Sequence, residues 1–546
     1  MKYRIMLAVA CVMLNAVLSS LDAATLTAPR AVAASPSAAG AAYDWLQFNF
    51  DPQHSGNDTL ETAITSGNVS SLRLLFQVAL PAIADGAPVY LTGVTTGSGV
   101  CDLVFVTTHA GHIVALDAHT GAQIWVQQHG AAGCLINNNS ARNETCYTTS
   151  SPAIDPNRQF VYSYGLDGKV HKYAVGTGAE VLTGGWPEAT SLKVYDEKGS
   201  SALSIATAHS GATYLYVAHA GYPGDAGDYQ GHITAINLAD GTQQVFNALC
   251  SNLTVHFVDS RTAAGTDCYP QTQTAIWGRP GVVYDADTDK IYVATGNGTF
   301  SPTQHLWGDT AFALNPDGTG ATGNPLDTYT PTNYQQLDNA DADLGSTEPV
   351  ILPTPANSTV RHLAVQSGKD GLLRLLNLDN LSGQSGVGHT GGEIQVINVP
   401  QGGEVLPTPA VWVSPCDSST WVFVGNYAGL SALQLAIGTG GAPSLTPVWH
   451  NATSGSSPII ANNVLYIANS NRISALNPAF GNSFWTGTQI GGIHWESPIV
   501  ANGTLYITDQ SGKLTAYVPS GTAAPRASGG NLYFLPLISA TVGYCR

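Results

Sequence analysis

The sequence predicts an all-β fold, an eight-bladed β-propeller made of four-stranded antiparallel blades. Three observations predict it: one strand-turn phrase recurs eight times, two shorter β-rich runs precede each copy, and Gly, Asn and Pro separate the runs. Three strands, a tight turn and a fourth strand make one antiparallel sheet, and eight such sheets around an axis make a closed propeller.

The first two strands of each blade are predicted upstream of the recurring phrase. The first strand is expected in a small-residue or proline-led run such as SPAI, TPAVWV or SPIV, although the third repeat has SALSIA in this place. The second strand is expected in an apolar run such as LVFVTT, KIYVATG or TLYITD. Val, Ile, Tyr and Phe dominate these short runs, and they favour strands.

The phrase itself predicts the third strand, a turn and the fourth strand. Its first copy is GHIVALDAHTGAQIW, in which a Thr-Gly turn separates two alternating runs. The eight copies begin at Gly111, Gly168, Gly231, Gly308, Gly371, Gly429, Asn471 and Gly512.

The last copy, GKLTAYVPSG, has no fourth strand after it. The run LRLLFQVAL lies before the first full blade and can supply that outer strand, so we expect an N-terminal strand to close a single propeller spanning 45–519. The tail 520–546 contains the apolar stretch NLYFLPLISATVGYC. It can pack beneath the propeller or mediate dimer contacts; both remain open, and a homodimer is the expected assembly.

The N-terminus has the layout of a secretory signal. Lys2 and Arg4 precede the apolar run IMLAVACVMLNAVL and small residues follow, which predicts a signal peptide and cleavage region in 1–34 and a flexible lead-in in 35–44. No transmembrane segment is expected after cleavage. The protein is therefore expected to be exported, and the periplasm, the outer-membrane surface and the medium remain open as its location.

Export places the cysteines in an oxidising compartment. The close pairs Cys134/Cys146 and Cys250/Cys268 are therefore candidate disulfides. Cys11 leaves with the signal, so an odd number remains and at least one thiol is free or intermolecular.

Charged residues are scarce and mostly acidic. They make up 10% of the chain, against about 25% in an average domain. The net charge of −17 argues against nucleic acid and anionic membranes as partners. Few basic groups mean little self-repulsion after carboxylates protonate, so the composition suits an acidic milieu; a neutral secreted β-protein remains the alternative.

Loop lengths indicate which face carries the chemistry. Loops between strands two and three open on the same face as the loops between blades, and both classes include long segments, whereas the opposite face has tight turns. NADADLGSTEP, which holds Asp341 and Asp343, is a blade-crossing loop on this face. The candidates for substrate binding that project there are Trp277, Arg279, Lys369 and Glu496. A plain turn at the two aspartates is the competing interpretation.

The phrase ALDAHTGAQIW resembles the blade-docking motif of quinoprotein-like β-propellers, and the resemblance spans roughly Trp45 to Val518. It implies a family whose dehydrogenases bind pyrroloquinoline quinone (PQQ), commonly with Ca²⁺, an Asp base and, in several branches, an adjacent Cys-Cys bridge, which this sequence lacks. The passages IWGRPGVVYDADTDKIYVATGNG, GYPGDAGDYQGHITAINL and DADLGSTEPVILP are similar to the tetrathionate hydrolases of acidophilic sulfur oxidisers. That branch implies a cofactor-free enzyme without a metal, whose Asp341 or Asp343 serves as general acid or base on a small anionic polythionate.

The chemistry is consistent with that branch. Aspartate, with an ordinary pKa near 3.9, still titrates at a pH of about 3 to 4, where histidine stays charged. Two alternatives remain: a PQQ- and Ca²⁺-dependent dehydrogenase resembling alcohol dehydrogenases, and a non-catalytic scaffold.

Overall fold

The computed structural model describes residues 42–130, 133–137, 144–259 and 268–521. Eight consecutive antiparallel sheets follow one another through these residues, which confirms the eight-bladed propeller. The predicted signal region, most of the lead-in and nearly all of the tail lie outside the described residues. Within them, no helix has the length and apolar character needed to cross a membrane.

Each blade is one sheet, and the first four blades run from Val89 to Tyr329. Blade 1 comprises Val89–Thr96, Gly99–Thr107, His112–Asp117 and Gln123–Gln128. Blade 2 comprises Ala153–Ile154, Phe160–Tyr164, Lys169–Ala174 and Glu188–Ala189. Blade 3 comprises Ser204–Thr207, Thr213–Gly221, His232–Asn237 and Gln243–Asn247. Blade 4 comprises Val283–Asp285, Lys290–Ala294, Ala311–Leu314 and Asp327–Tyr329.

The second four blades run from Val350 to Pro519. Blade 5 comprises Val350–Leu352, Leu363–Ser367, Leu372–Asn377 and Gln395–Asn398. Blade 6 comprises Ala410–Val413, Thr420–Gly425, Leu430–Ile437 and Pro443–Asn451. Blade 7 comprises Ile459–Ala461, Val464–Asn469, Arg472–Leu476 and Ser483–Gly487. Blade 8 comprises Ile499–Ala501, Thr504–Asp509 and Lys513–Pro519.

Blade 8 takes its fourth strand from the N-terminal segment. The strand Leu72–Ala79 pairs antiparallel with Lys513–Pro519, in a register that sets Leu72 opposite Pro519 and Ala79 opposite Lys513. The two ends of the described chain are therefore held in one sheet.

Several short strands and turns lie outside the eight four-stranded sheets or extend them. Asn57–Asp58 pairs in parallel with Ile459–Ala461, Glu197–Gly199 extends blade 3, and Phe300–Ser301 pairs with Leu306–Trp307. One α-helix, Tyr334–Ala340, lies among the described residues. The 3₁₀ turns are Val69–Ser71, Pro302–Gln304, Leu344–Ser346 and Thr439–Gly441.

The inner strands are apolar on both sides because neighbouring blades cover both faces. One core cluster joins blades 3 and 4 and includes Tyr216, Ile233, Ile291 and Val293, all nearly inaccessible to solvent. Each such buried aliphatic side chain contributes about 1.5–3 kcal/mol. The core thus consists of a series of layers between blades.

Tryptophans on the fourth strands of blades 1, 6 and 7 tie these blades to the following ones. The indole N–H of Trp125 donates to the carbonyl oxygen of Val175 in blade 2 at 2.8 Å. Its ring covers Gly178, where an added Cβ would lie 2.6 Å from the ring, so a glycine is needed at that turn. Trp449 and Trp485 make the same donation to carbonyls of the following sheets.

Candidate functional site

A cavity of about 360 Å³ opens on the face that carries the blade-crossing loops and the loops between second and third strands, hereafter the loop face. Its walls come from crossings around blades 2 to 5 and from the crossing into blade 8. It is lined by Tyr147, Thr149, Lys198, Ser200, Ala220, Gly221, Tyr222, Pro223, Gly224, Asp225, Ala275, Trp277, Arg279, Asp341, Asp343, Lys369, His494 and Trp495.

Most of the predicted site residues meet in this cavity. The structure brings together Trp277, Arg279, Asp341, Asp343 and Lys369, although up to about ninety positions separate them in the chain. Glu496 is fully buried and is not part of the lining. The candidates chosen from loop placement therefore share one cavity, apart from Glu496, which lies behind its wall.

Lys369 joins the two aspartates. Its ammonium nitrogen Nζ lies 2.8 Å from Oδ1 of Asp341 and 2.5 Å from Oδ2 of Asp343. Asp341 is the exposed partner and closes the helix Tyr334–Ala340 in a left-handed conformation with φ 53°. Asp343 is buried. The two carboxylates thus share one cation but differ in their access to water.

The turn after the second strand of blade 4 holds the Asp343 carboxylate. The backbone N–H of Asn297 donates to Oδ1 of Asp343 at 2.7 Å, and its side-chain amide donates to Asp341 at 3.0 Å. A Cβ at Gly296 would lie 2.3 Å from Oδ1 of Asp343, so the glycine allows this close approach. Asn297 and Gly296 were not predicted as site residues, although both lie in the passage IWGRPGVVYDADTDKIYVATGNG.

Burial and charge act in opposite directions on this pair. Burial raises the pKa of Asp343 above its ordinary value, while Lys369 and the N–H of Asn297 limit the rise. Burial alone would lower the pKa of Lys369, but the contacts with Asp343 and Asp341 more than offset this and raise it. Asp343 is therefore a carboxyl group that stays protonated to a higher pH than a free aspartate.

Arg279 lines the cavity and is held by two backbone carbonyl groups. Its guanidinium donates to the carbonyl oxygens of Ser200 at 2.9 Å and Thr149 at 2.8 Å. The residue is 2% exposed, and burial lowers its pKa to about 10, so it stays charged at any acidic or neutral pH. It brings to the cavity wall a positive charge with little freedom to move.

Lys198 is a second buried cation that the sequence did not reveal. Its Nζ donates to Oγ of Ser200 at 2.5 Å and lies 5.2 Å from the ring centre of Tyr147 and 5.8 Å from that of Tyr222. Burial, and then the neighbouring Arg279, lower its pKa to about 7. The crossing YDEKGS contains several charged residues, and the sequence alone does not indicate that the charge of Lys198 is buried at the cavity.

Two tryptophans form aromatic walls. The rings of Trp277 and Trp495 lie 6.0 Å apart at 70° to each other. Lys369 lies over Trp277 at 5.3 Å, and the Arg279 guanidinium lies over Trp495 at 5.7 Å. Both distances lie within the range of a cation–π contact, which helps to hold the two cations in position.

Asp85 supports the wall formed by His494 and Trp495. It was not predicted as a site residue, because its segment ADGAP has the composition of a simple turn. It accepts hydrogen bonds from His109 at 2.8 Å, from His494 at 2.9 Å and from the N–H of Trp495 at 3.2 Å. Burial alone would raise the pKa of Asp85, but the two histidines lower it.

Glu496 belongs to the same network. Its carboxyl group accepts from the N–H of His494 at 2.6 Å and from the side chain of Gln510 at 2.7 Å, and Gln510 also donates to Asp85 at 2.8 Å. Burial, and then the nearby charge of Asp85, raise the pKa of Glu496 to about 8. Glu496 thus positions the wall rather than facing the cavity.

Both predicted disulfides are present. Cys134 is bonded to Cys146 and Cys250 to Cys268, with Cα–Cα distances of 5.5 and 5.9 Å. The first disulfide packs with Tyr222, which lines the cavity. Of the cysteines in the described part of the chain, Cys101 is the free one.

A second cavity of about 680 Å³ adjoins the first on the loop face, over blades 5 to 8. His494 and Trp495 line both cavities and so form the partition between them. Glu404 and Arg472 are charged residues of its lining, which consists otherwise mainly of Ser, Asn and apolar side chains.

Comparisons with solved structures show the same fold. The chain is 14% identical to the quinohemoprotein alcohol dehydrogenase ADHIIG from Pseudomonas putida HK5, with a TM-score of 0.59, covering 90% of this chain and 82% of that one. The quinohemoprotein alcohol dehydrogenase from Comamonas testosteroni is 16% identical, with a TM-score of 0.58 and coverages of 90% and 83%. A europium-containing methanol dehydrogenase is 16% identical, with a TM-score of 0.58 and coverages of 87% and 98%.

A search of curated protein sequences finds no match. A family of propeller sequences matches residues 45–380, more than half of the chain, and it carries the description PQQ: Glucose/ethanol/alcohol dehydrogenase, beta-propeller domain. With its eight blades, Trp-Gly docking contacts and this match, the chain belongs to the PQQ-type β-propeller family.

Proposed function

We propose that this protein is an exported, acid-active hydrolase that cleaves tetrathionate to thiosulfate, sulfur and sulfate. The observation that carries the proposal is the cavity itself: a buried carboxyl group, Asp343, shares it with three basic side chains and two indole rings. Within a chain of only 20 Lys and Arg residues, three of them at one cavity point to an anionic substrate.

The charges suit a dianion with a sulfonate at each end. Arg279 and Lys198 lie together on one side, where both contact Ser200, and Lys369 lies with the aspartates on the other. We assign one sulfonate to each group of cations. Trp277 and Trp495 provide apolar surfaces for the uncharged sulfur atoms between them.

The two aspartates suit acid and base roles. Asp343, whose pKa is raised by burial, is the group that donates a proton to the leaving sulfur. Asp341, exposed at the mouth of the cavity, accepts a proton from the attacking water. Lys369 touches both carboxylates and holds them in position.

The reaction balances with one water. Water adds to one sulfonate sulfur as the adjacent S–S bond breaks, which gives hydrogen sulfate and HS–S–SO₃⁻. The second product loses one sulfur atom and leaves hydrogen thiosulfate. The proton taken up by Asp341 returns to Asp343 through solvent, so the enzyme regains its starting state.

Export and acid exposure have separate support. Two disulfides suit an oxidising compartment outside the cytoplasm. Several buried carboxyl groups, including Asp309 and Glu496, have raised pKa values and so favour the folded state in acid. The periplasm, the outer-membrane surface and the medium are all consistent with these features.

The family suggests PQQ with a calcium ion as a second possibility, but the residues here do not fit that pair well. Calcium takes six to eight oxygen ligands, whereas the ammonium group of Lys369 fills the space between the Asp341 and Asp343 carboxylates. The rings of Trp277 and Trp495 meet at 70°, so they do not offer parallel faces to a planar quinone.

The decisive experiment is incubation of purified protein with tetrathionate at pH 3 to 4, with thiosulfate and sulfate measured by ion chromatography. We expect turnover by the wild type and at least a hundredfold loss in Asp343→Asn, because an amide cannot supply the proton. Asp341→Asn is expected to lower kcat as well.

The matched control is Asp240→Asn, in a tight turn on the opposite face. Asp240 accepts hydrogen bonds only within its own turn, from Thr242, and full activity is expected. Absence of thiosulfate with folded wild type, or full activity in the double Asp341→Asn, Asp343→Asn variant, rules the proposal out. Dye-linked alcohol oxidation after addition of PQQ and Ca²⁺ would support the dehydrogenase instead. No activity in either assay would favour a non-catalytic scaffold.

A further inference from the structure

A cluster of histidines and carboxylates lies between blades 1 and 2, outside both cavities. His129 follows the strand Gln123–Gln128, and His171 lies in the strand Lys169–Ala174. Asp167 precedes that strand. One ring nitrogen from each histidine and one Asp167 oxygen all lie within 4.8 Å of one another. Among the residues with described positions, this is the group with the spacing of metal ligands.

Glu180 orients both imidazole rings from one side. Its Oε1 lies 2.6 Å from Nδ1 of His171, and its Oε2 lies 3.2 Å from Nε2 of His129. The rings are stacked, 3.5 Å apart and 12° from parallel. Because Glu180 engages one nitrogen of each ring, Nε2 of His171 and Nδ1 of His129 are the nitrogens left for an ion. Carboxylates that bind the far nitrogen of a histidine are a regular feature of metal sites.

The open nitrogen of His171 already faces a carboxylate. Its Nε2 lies 3.0 Å from Oδ1 of Asp167. An ion 2.0–2.2 Å from each of these atoms would subtend an angle of about 90° there. A Cβ at Gly165 would lie 2.7 Å from both atoms, so the glycine keeps the space beside them free.

We propose that His129, Asp167 and His171 bind a divalent transition-metal ion of the Zn²⁺ class, with Glu180 positioning the two imidazoles. Two nitrogens and one carboxylate oxygen suit Zn²⁺, Ni²⁺ or Cu²⁺ and not Ca²⁺ or Mg²⁺, which prefer oxygen alone. His171 is fixed, with 2% of its side chain exposed, whereas His129 is 27% exposed and can turn toward the ion. Water completes the coordination on the open side.

This site is independent of the proposed hydrolysis, since none of its residues lines the cavity around Asp343. The test is a titration of chelator-treated full-length protein with ZnSO₄ at pH 7.5 in a calorimeter, where protons compete little for the imidazoles. Co²⁺ provides a second readout through its visible absorption. We expect one equivalent to bind, at least tenfold weaker binding in His129→Gln and Asp167→Asn, and 10- to 100-fold weaker binding in Glu180→Gln.

The matched control is His362→Gln. His362 forms a similar partly exposed pair with Asp379, at 2.7 Å, without a second histidine. Its loss should leave Zn²⁺ affinity unchanged. The proposal fails if wild type binds no Zn²⁺, if folded His129→Gln binds as tightly as wild type, or if His362→Gln loses as much affinity. Because His129 and Asp167 are partly exposed, both variants are expected to keep the wild-type melting temperature.

Discussion

At the scale of single residues, Lys369 controls when Asp343 carries a proton. Its positive charge 2.5 Å away lowers the pKa that burial raises. In Lys369→Gln the restraint is gone, so the pKa of Asp343 rises further and the protonated acid persists to higher pH. The alkaline limb of the pH–rate profile should therefore move upward, while KM for tetrathionate rises roughly tenfold through the lost charge–charge contact.

The profile separates this role from simple substrate binding. If Lys369 only bound the sulfonate, its replacement would change KM but would not shift the alkaline limb of the pH–rate profile. Lys290→Gln is the matched control and should leave both quantities unchanged, because Lys290 begins the strand Lys290–Ala294 beside a tight turn of the opposite face. A limb that moves to lower pH in Lys369→Gln would contradict the assignment of Asp343 as the acid.

At the scale of elements, the turn at 295–298 determines where Asp343 lies. A Cβ at Gly296 would approach Oδ1 of Asp343 to 2.3 Å, so Gly296→Ala must displace the carboxylate. We expect kcat to fall about 10- to 100-fold, because a displacement of roughly 1 Å has this effect in an organised site. Gly97→Ala, where an added Cβ meets nothing within 4 Å, is the control. Equal activity in the two variants would show that the turn does not position the acid.

Other elements explain why the site was only partly predictable. The crossing loops of a propeller converge on its axis, so loop placement alone grouped Asp343, Arg279 and Lys369. Lys198 was missed because its crossing looks like an ordinary solvated loop, whereas in the fold Tyr147 and Tyr222 pack against it and help to bury its charge. The helix Tyr334–Ala340 was also unforeseen, since seven residues within a long loop carry no clear helical periodicity.

At the scale of the whole molecule, the fold was predictable because each blade repeats the same strand pattern, whereas the electrostatics required the structure. Burial raises the pKa of Asp58 to about 7 and that of Asp309 to about 8. Groups with raised pKa values stabilise the fold fully below their unfolded pKa, near 4, and lose that contribution as the pH rises through the folded value. Burial lowers the pKa of His54 to about 4, which acts in the opposite direction only below pH 6.5.

Between pH 6.5 and 8, Lys198 acts in the opposite direction above its lowered pKa of about 7, but the raised carboxyl groups Asp58, Asp309 and Glu496 outnumber it. We expect the free energy of unfolding, measured with urea, to fall as the pH rises across this window. Asp309→Asn retains the acceptor for the N–H of Leu344, 3.0 Å from Oδ1, but cannot ionise, so its decline should be shallower. A wild-type stability that is flat or rises from pH 6.5 to 8 would contradict this account.

The pairing of Leu72–Ala79 with Lys513–Pro519 has a consequence for biogenesis. Gln77 and Thr515 are hydrogen-bonded neighbours although 438 positions separate them in the chain. A contact of such high sequence separation forms late, since almost the whole polypeptide must emerge before the partner strand exists. During synthesis, Leu72–Ala79 is therefore an unpaired strand edge, and this edge favours aggregation until Lys513–Pro519 has emerged to cover it.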